Sequence, residues 1–122
     1  MKQIHLVDDS NTMLLSLEGM LGKAGFGITS SLSGEEALTK LKNNKPNLVI
    51  TDLNMPGMDG ITLVKEIKKL SSMRFVPILL LTTESQQSKR DEARAAGATG
   101  WLVKPVKQDE LIGVIKQLVP GA

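Results

Sequence analysis

Short apolar runs alternate with longer amphipathic stretches along the whole chain. The runs QIHLV (3–7), FGITS (26–30), NLVIT (47–51), VPILLLT (76–82) and GWLV (100–103) have the length and composition of strands. The stretches near 11–24, 34–44, 60–71, 86–96 and 107–119 carry apolar residues at helical spacing. Strict alternation of this kind predicts parallel strands joined by right-handed crossovers, with helices on both faces of the sheet. The central runs are apolar throughout, as strands covered on both faces must be.

Three helices carry finer information. In the first, Met13, Leu17, Met20, Leu21 and Ala24 form one stripe toward the core, with Leu15 opposite it and Leu14 at its edge. The fourth, QQSKRDEARAAG, offers only alanines to the core. Alanine buries little area, so this helix is expected to be weakly anchored and easily shifted. In the last, Leu111, Ile112, Ile115, Leu118 and Val119 form the core stripe and Val114 falls outside it.

Composition narrows the class. A chain of 122 residues with 41% hydrophobic content suits one domain, 1–122, with no output domain and no repeat or linker. The absence of cysteine excludes disulfides and thiolate chemistry and agrees with a reducing, cytoplasmic setting. His5 is the only histidine, which excludes a multi-histidine metal site. No apolar run approaches the roughly 20 residues of a membrane span, and the start MKQIHLVDDS turns acidic too early for a signal peptide. Net charge is +2 with a pI near 9.0, but basic residues are interspersed among acids. Phe26, Phe75 and Trp101 are the only aromatics, too few for a stacking platform. Nucleic-acid and membrane partners are therefore not expected, and the chain is expected to be a monomer.

Chemistry concentrates where the strand runs end. The first ends in Asp8 and Asp9, the third in Asp52, the fourth in Thr82 and Thr83, and the fifth runs into Lys104 and Pro105. Open parallel sheets bind ligands at the carboxyl ends of their strands, near the point where strand order reverses. These scattered residues thus converge on one edge. Three clustered carboxylates repel one another unless a cation sits among them. Oxygen donors alone suit a hard ion such as Mg²⁺, which takes a couple of carboxylates, waters and a phosphate oxygen. One carboxylate is then free to act as a nucleophile. A lysine and a hydroxyl at neighbouring strand ends suit the oxygens of an incoming phosphoryl group. The implied chemistry is phosphoryl transfer to an aspartate.

The motifs LVDDS, VITDLNMPGMDG, LLLTTES and GWLVKP carry these residues. In order and spacing they resemble the response regulator receiver domain, and the chain is similar to stand-alone chemotaxis-type (CheY-like) regulators over essentially its whole length. The resemblance implies a flavodoxin-like, doubly wound α/β fold: a five-stranded parallel sheet in the order 2-1-3-4-5, with five helices. It implies Asp52 as phosphoacceptor and Asp8 and Asp9 as the acidic pair for Mg²⁺, Asp9 directly and Asp8 through water. The Asn54 carbonyl matches the third protein ligand, and Asp52 completes the metal set. Thr82 resembles the hydroxyl that moves to bond the phosphoryl group, and Lys104 the lysine that pairs with it. Pro105 matches a proline that is cis in the family, and Trp101 stands at the switch aromatic, usually Tyr or Phe.

For function the resemblance implies a phosphorylation-dependent switch of a two-component system, in chemotaxis or motility. Such a protein is not a turnover enzyme; it has only self-phosphorylation and autodephosphorylation chemistry. Its partners are a histidine kinase or phosphotransfer domain, a downstream target such as a motor component or kinase, and a phosphatase. Arg90, Arg94, Trp101 and Val114 are expected to contribute to the output face. Leu14 stands where many chemotaxis-type members have arginine. With Leu15 it predicts a hydrophobic step that contacts the phosphotransfer domain or phosphatase. Val106 replaces a common phenylalanine, and the space it leaves is assigned to Trp101. Asp59 and Gly60 are read as the cap and start of the third helix, and His5 as a packed histidine. The alternative is a phosphate sink or a receiver working beside a larger kinase or regulator. A Mg²⁺-dependent phosphatase of the aspartyl-phosphate kind needs an acid two residues after its nucleophile, where this chain has Asn54. A nucleotide- or flavin-binding module needs a Gly-rich loop after the first strand, where this chain has DDSNTM.

Overall fold

The five apolar runs pair into a single parallel sheet, and the computed structural model describes every residue from 1 to 122. In chain order the elements are β1 (Gln3–Val7), α1 (Asn11–Lys23), β2 (Gly27–Ser31), α2 (Gly34–Leu41), β3 (Leu48–Thr51) and α3 (Gly60–Lys69). A 3-10 turn (Ser71–Met73), β4 (Ile78–Thr82), α4 (Gln87–Ala96), β5 (Gly100–Val103) and α5 (Gln108–Leu118) complete the chain. The sheet order is β2-β1-β3-β4-β5, as expected, so strand order reverses beside β1 and β3. The main differences lie at element ends. α2 stops at Leu41 rather than near 44, and β4 starts at Ile78 because Pro77 has no N–H for the ladder.

Successive strand residues point to opposite faces. One face packs under α1 and α5, around Leu6, Leu17, Leu81, Leu111 and Ile115. The other packs under α2 and α3, around Val7, Leu41, Val49, Leu63 and Ile67. A small third cluster, Leu53, Ile61, Leu80 and Ala93, receives Trp101 at its margin. Ala93 is the only buried residue of α4, in line with the weak anchoring read from its alanines.

The structure corrects the orientation of α1. Its buried residues are Leu14, Leu17 and Leu21, at i, i+3 and i+7. Ser10 caps the helix by accepting from the Met13 amide at 3.2 Å, which sets its phase. Turning three leucines inward buries more apolar surface than the predicted stripe, whose Ala24 lies exposed and whose Met13 and Met20 are half-buried. Leu14 is only 3% exposed and is therefore a core residue, not half of a hydrophobic step; Leu15, at 61%, remains on the surface.

His5 is buried on the α2 side of β1. Its Nδ1 lies 2.6 Å from Thr29 Oγ1 and its Nε2 lies 2.8 Å from Ser31 Oγ. Burial, and then the Lys40 ammonium, push the imidazole from 6.5 down to about 4, against a weaker opposing effect of Glu36. His5 is thus a satisfied, neutral, structural histidine. The unfolded chain takes up a proton there near pH 6.5, where the folded chain does not. The stability that His5 contributes is therefore complete above pH 6.5 and is lost as pH falls toward 4. The expected loss across that window is on the order of 3 kcal/mol. Denaturant midpoints measured between these pH values test it, and His5→Asn should remove most of the extra slope.

Candidate functional site

Parallel pairing carries each strand's hydrogen bonding one residue past its end, into the site. The Asp8 amide donates to Ser31 O at 3.2 Å, the Asp52 amide to Val7 O at 3.0 Å, and the Lys104 amide to Thr82 O at 2.8 Å. These bonds place three side chains from distant parts of the sequence at the switch point between β1 and β3. The loop after β3 is held as tightly. Asp59 caps α3 by accepting from the Thr62 amide at 2.8 Å, and the Gly60 amide donates to Leu53 O at 2.7 Å. A β-carbon at Gly60 would collide with the Asp52 carbonyl and lie 2.8 Å from Leu53 Cα. Only glycine lets α3 start this close to the strand end, so Gly60 fixes the backbone that carries Asp52.

The side chains then meet. Lys104 Nζ lies 3.1 Å from Asp8 Oδ2 and 3.4 Å from Asp52 Oδ2, all three groups being largely shielded from solvent. Asp8 Oδ1 accepts from the Ser10 amide at 2.9 Å and Asp52 Oδ1 from the Leu53 amide at 2.7 Å. Asp9 is exposed and forms no ion pair, yet the carboxylates of Asp8, Asp9 and Asp52 each offer an oxygen within 4.8 Å of the others. Two of the three carboxylates thus share one ammonium, and the third has no cation of its own. The donors are all oxygen, the set that suits a small hard divalent cation. The Lys104–Pro105 peptide bond is cis, as the resemblance implies.

Thr82 is fully buried at the end of β4, and its hydroxyl accepts from the Glu84 amide at 3.2 Å. Trp101 Nε1 donates to the Glu84 carbonyl at 3.1 Å. The two sides of one residue's backbone thus tie the hydroxyl to the indole. Sequence reasoning missed this link, since backbone groups leave no trace in residue type. Asn54 is exposed in the loop after β3. Arg90, Arg94 and Trp101 line a cavity of about 150 Å³ between α4 and β5. Val114 is absent from that cavity and packs half-buried against the core under α1 and α5. The space beside Val106 is not taken by Trp101, which lies across the sheet with Leu80 and Ala93. That space is instead an apolar cavity of about 390 Å³ next to Lys104, lined by residues such as Met13, Met20 and Pro105.

This fold and this acidic strand-end site define a receiver domain of two-component signalling. The chain belongs to the response regulator receiver domain family, whose profile matches residues 4–116. It is similar to protein PilG of Pseudomonas aeruginosa, with 30% identity over 98% of this chain and 88% of PilG. The solved structure of chemotaxis protein CheY4 of Vibrio cholerae superposes with a TM-score of 0.94 at 37% identity, covering 98% of this chain and 99% of CheY4. The receiver domain of sensor histidine kinase PA1611 of Pseudomonas aeruginosa, solved with a magnesium ion coordinated in its active site cleft, gives a TM-score of 0.89 at 28% identity. That match covers 96% of each chain.

Charge repulsion at the site leads to a measurable expectation. In metal-free buffer, Asp9→Asn should raise the melting temperature by roughly 2–5 °C, because it removes one of three like charges. The same substitution should abolish any stabilisation by added Mg²⁺. Thermal scans with and without the ion check both effects.

Proposed function

We propose that this receiver domain is a phosphorylation switch that takes a phosphoryl group on Asp52 from a histidine kinase or its phosphotransfer domain. The observation that carries the reading is the pairing of Asp52 with Lys104 beside Asp8 and Asp9. An Asp52 carboxylate oxygen attacks phosphorus. The O–P bond forms as the P–N bond to the donor histidine breaks, and the electron pair returns to the imidazole. Asp8, Asp9, Asp52 and the Asn54 carbonyl would hold Mg²⁺, which supplies positive charge against the phosphoryl oxygens. The PA1611 receiver domain, with magnesium in its cleft, supports that choice of ion.

Lys104 already bridges two carboxylates and turns its ammonium from Asp52 to a phosphoryl oxygen. Thr82 releases the Glu84 amide and donates its hydroxyl to the same group. Glu84 then moves, and with it the carbonyl that holds Trp101. The population shifts toward a packing with a displaced α4, at little cost because that helix buries only Ala93. Arg90, Arg94 and Trp101 lie where the change emerges and form the output face. Leu15 and the apolar cavity beside Val106 offer the phosphodonor or a phosphatase an apolar foothold next to Lys104. The likeness to chemotaxis protein CheY4 supports a chemotaxis pathway, with a downstream protein as reader. Autodephosphorylation resets the switch in the cytoplasm, and no catalytic turnover of an external substrate is involved.

Incubation with acetyl phosphate and Mg²⁺ is expected to add one base-labile phosphoryl mass to the wild type and none to Asp52→Asn. Intact-protein mass spectrometry checks this, and a wild type that gains no such mass defeats the reading. Trp101 fluorescence should change in the same reaction and stay constant in the variant.

A further inference from the structure

The order of charges along the chain hides how the fold sorts them. Every strand begins, and every helix ends, at the edge of the sheet opposite Asp52. Ten of the 15 Lys and Arg residues fall in the last turns of helices, in the loops that lead into strands, or before β1. Glu66 is the only acidic side chain in those segments, and it is paired with Lys69 at 2.8 Å. The opposite edge, with the first turns of the helices, holds nine of the 13 Asp and Glu residues and four cations. A nearly neutral sequence thus folds into a molecule with a basic pole and an acidic pole. Helix dipoles favour cations at helix ends, but Lys2 and Lys45 lie in non-helical segments at the basic pole.

The basic pole also carries an apolar projection. Phe75 is 89% exposed, far more than the other aromatics. Lys68 Nζ donates to the Arg74 carbonyl at 3.1 Å and to the Val76 carbonyl at 2.8 Å, one on each side of Phe75. This clamp fixes the backbone that presents the ring. Met1, also 89% exposed, lies at the same pole.

We propose that the basic pole docks on an anionic phospholipid surface, with Phe75 entering the headgroup region. A broad field of cations at one pole, with one protruding aromatic, matches a plane of negative headgroups. Single-stranded nucleic acid needs several stacking rings, and this pole presents one. The sequence predicts no membrane partner, because no apolar run is long enough to span a bilayer; the sorting of charge exists only in the folded chain. Docking in this way would turn the Asp52 edge away from the lipid and leave it open to a phosphodonor. The contact is peripheral, and it is independent of phosphoryl transfer.

Co-sedimentation with vesicles of phosphatidylcholine and phosphatidylglycerol at low salt tests it. The expected result is binding well above that to pure phosphatidylcholine vesicles, weakened by 0.5 M NaCl. Phe75→Ser should reduce the partition coefficient several-fold. The double variant Lys69→Glu/Arg74→Glu should reduce it by about tenfold or more. Lys107→Glu, at the acidic pole, should bind like the wild type. Circular dichroism melts confirm that all three variants fold. Absence of binding to the anionic vesicles overturns the proposal, as does an equal loss in Lys107→Glu. Binding to a DNA duplex as tight as to the vesicles overturns it in favour of a nucleic-acid surface.

Discussion

Parallel pairing makes all five strands end at one edge and all five helices end at the other. That constraint is enough to gather Asp8, Asp52 and Lys104 within ion-pair distance, although 96 positions separate the first from the last. It also gathers like charges, and the site exists in the tension this creates. One shielded ammonium holds two carboxylates together while the third, Asp9, stays in water. A site of this kind is unsaturated: its negative charge is held by geometry rather than cancelled. Groups that bring positive charge are favoured there.

The connection from the site to the surface is short and runs through backbone. Thr82 and Trp101 each hold one side of Glu84's main chain, so neither can move without disturbing the other's hydrogen bond. A neutral hydrogen bond is worth about 1 kcal/mol net, the same order as the energies that bias a two-state equilibrium. A link of this strength is weak enough for one new charged contact to outweigh it.

Much of this was legible in the sequence. Apolar runs alternating with amphipathic stretches specify the sheet, and the acids after QIHLV and NLVIT mark its working edge. What stayed hidden depends on phase and on three-dimensional sorting. Met13, Leu14 and Leu15 are adjacent apolar residues, so the buried face of α1 could not be fixed until the cap at Ser10 set the helix start. Trp101 and Val106 are close in sequence but pack on opposite sides of the sheet, which separates two residues that the family resemblance had linked. The two charged poles belong to the topology, since residues alternating in sign along the chain reach opposite ends of the molecule.

The sparse anchoring of α4 has a consequence for how such a domain diversifies. Exposed substitutions that leave a core untouched usually change stability by less than about 0.5 kcal/mol. On α4 that freedom covers nearly every position except Ala93. The Asp52 edge has no such latitude, because Gly60, Asp59 and the ion pairs around Lys104 hold one another in place. After a gene duplication, two copies could keep the same chemistry and drift apart in what their α4 surfaces recognise. Lineages of this domain can therefore acquire new listeners by surface drift, without passing through an unstable ancestor.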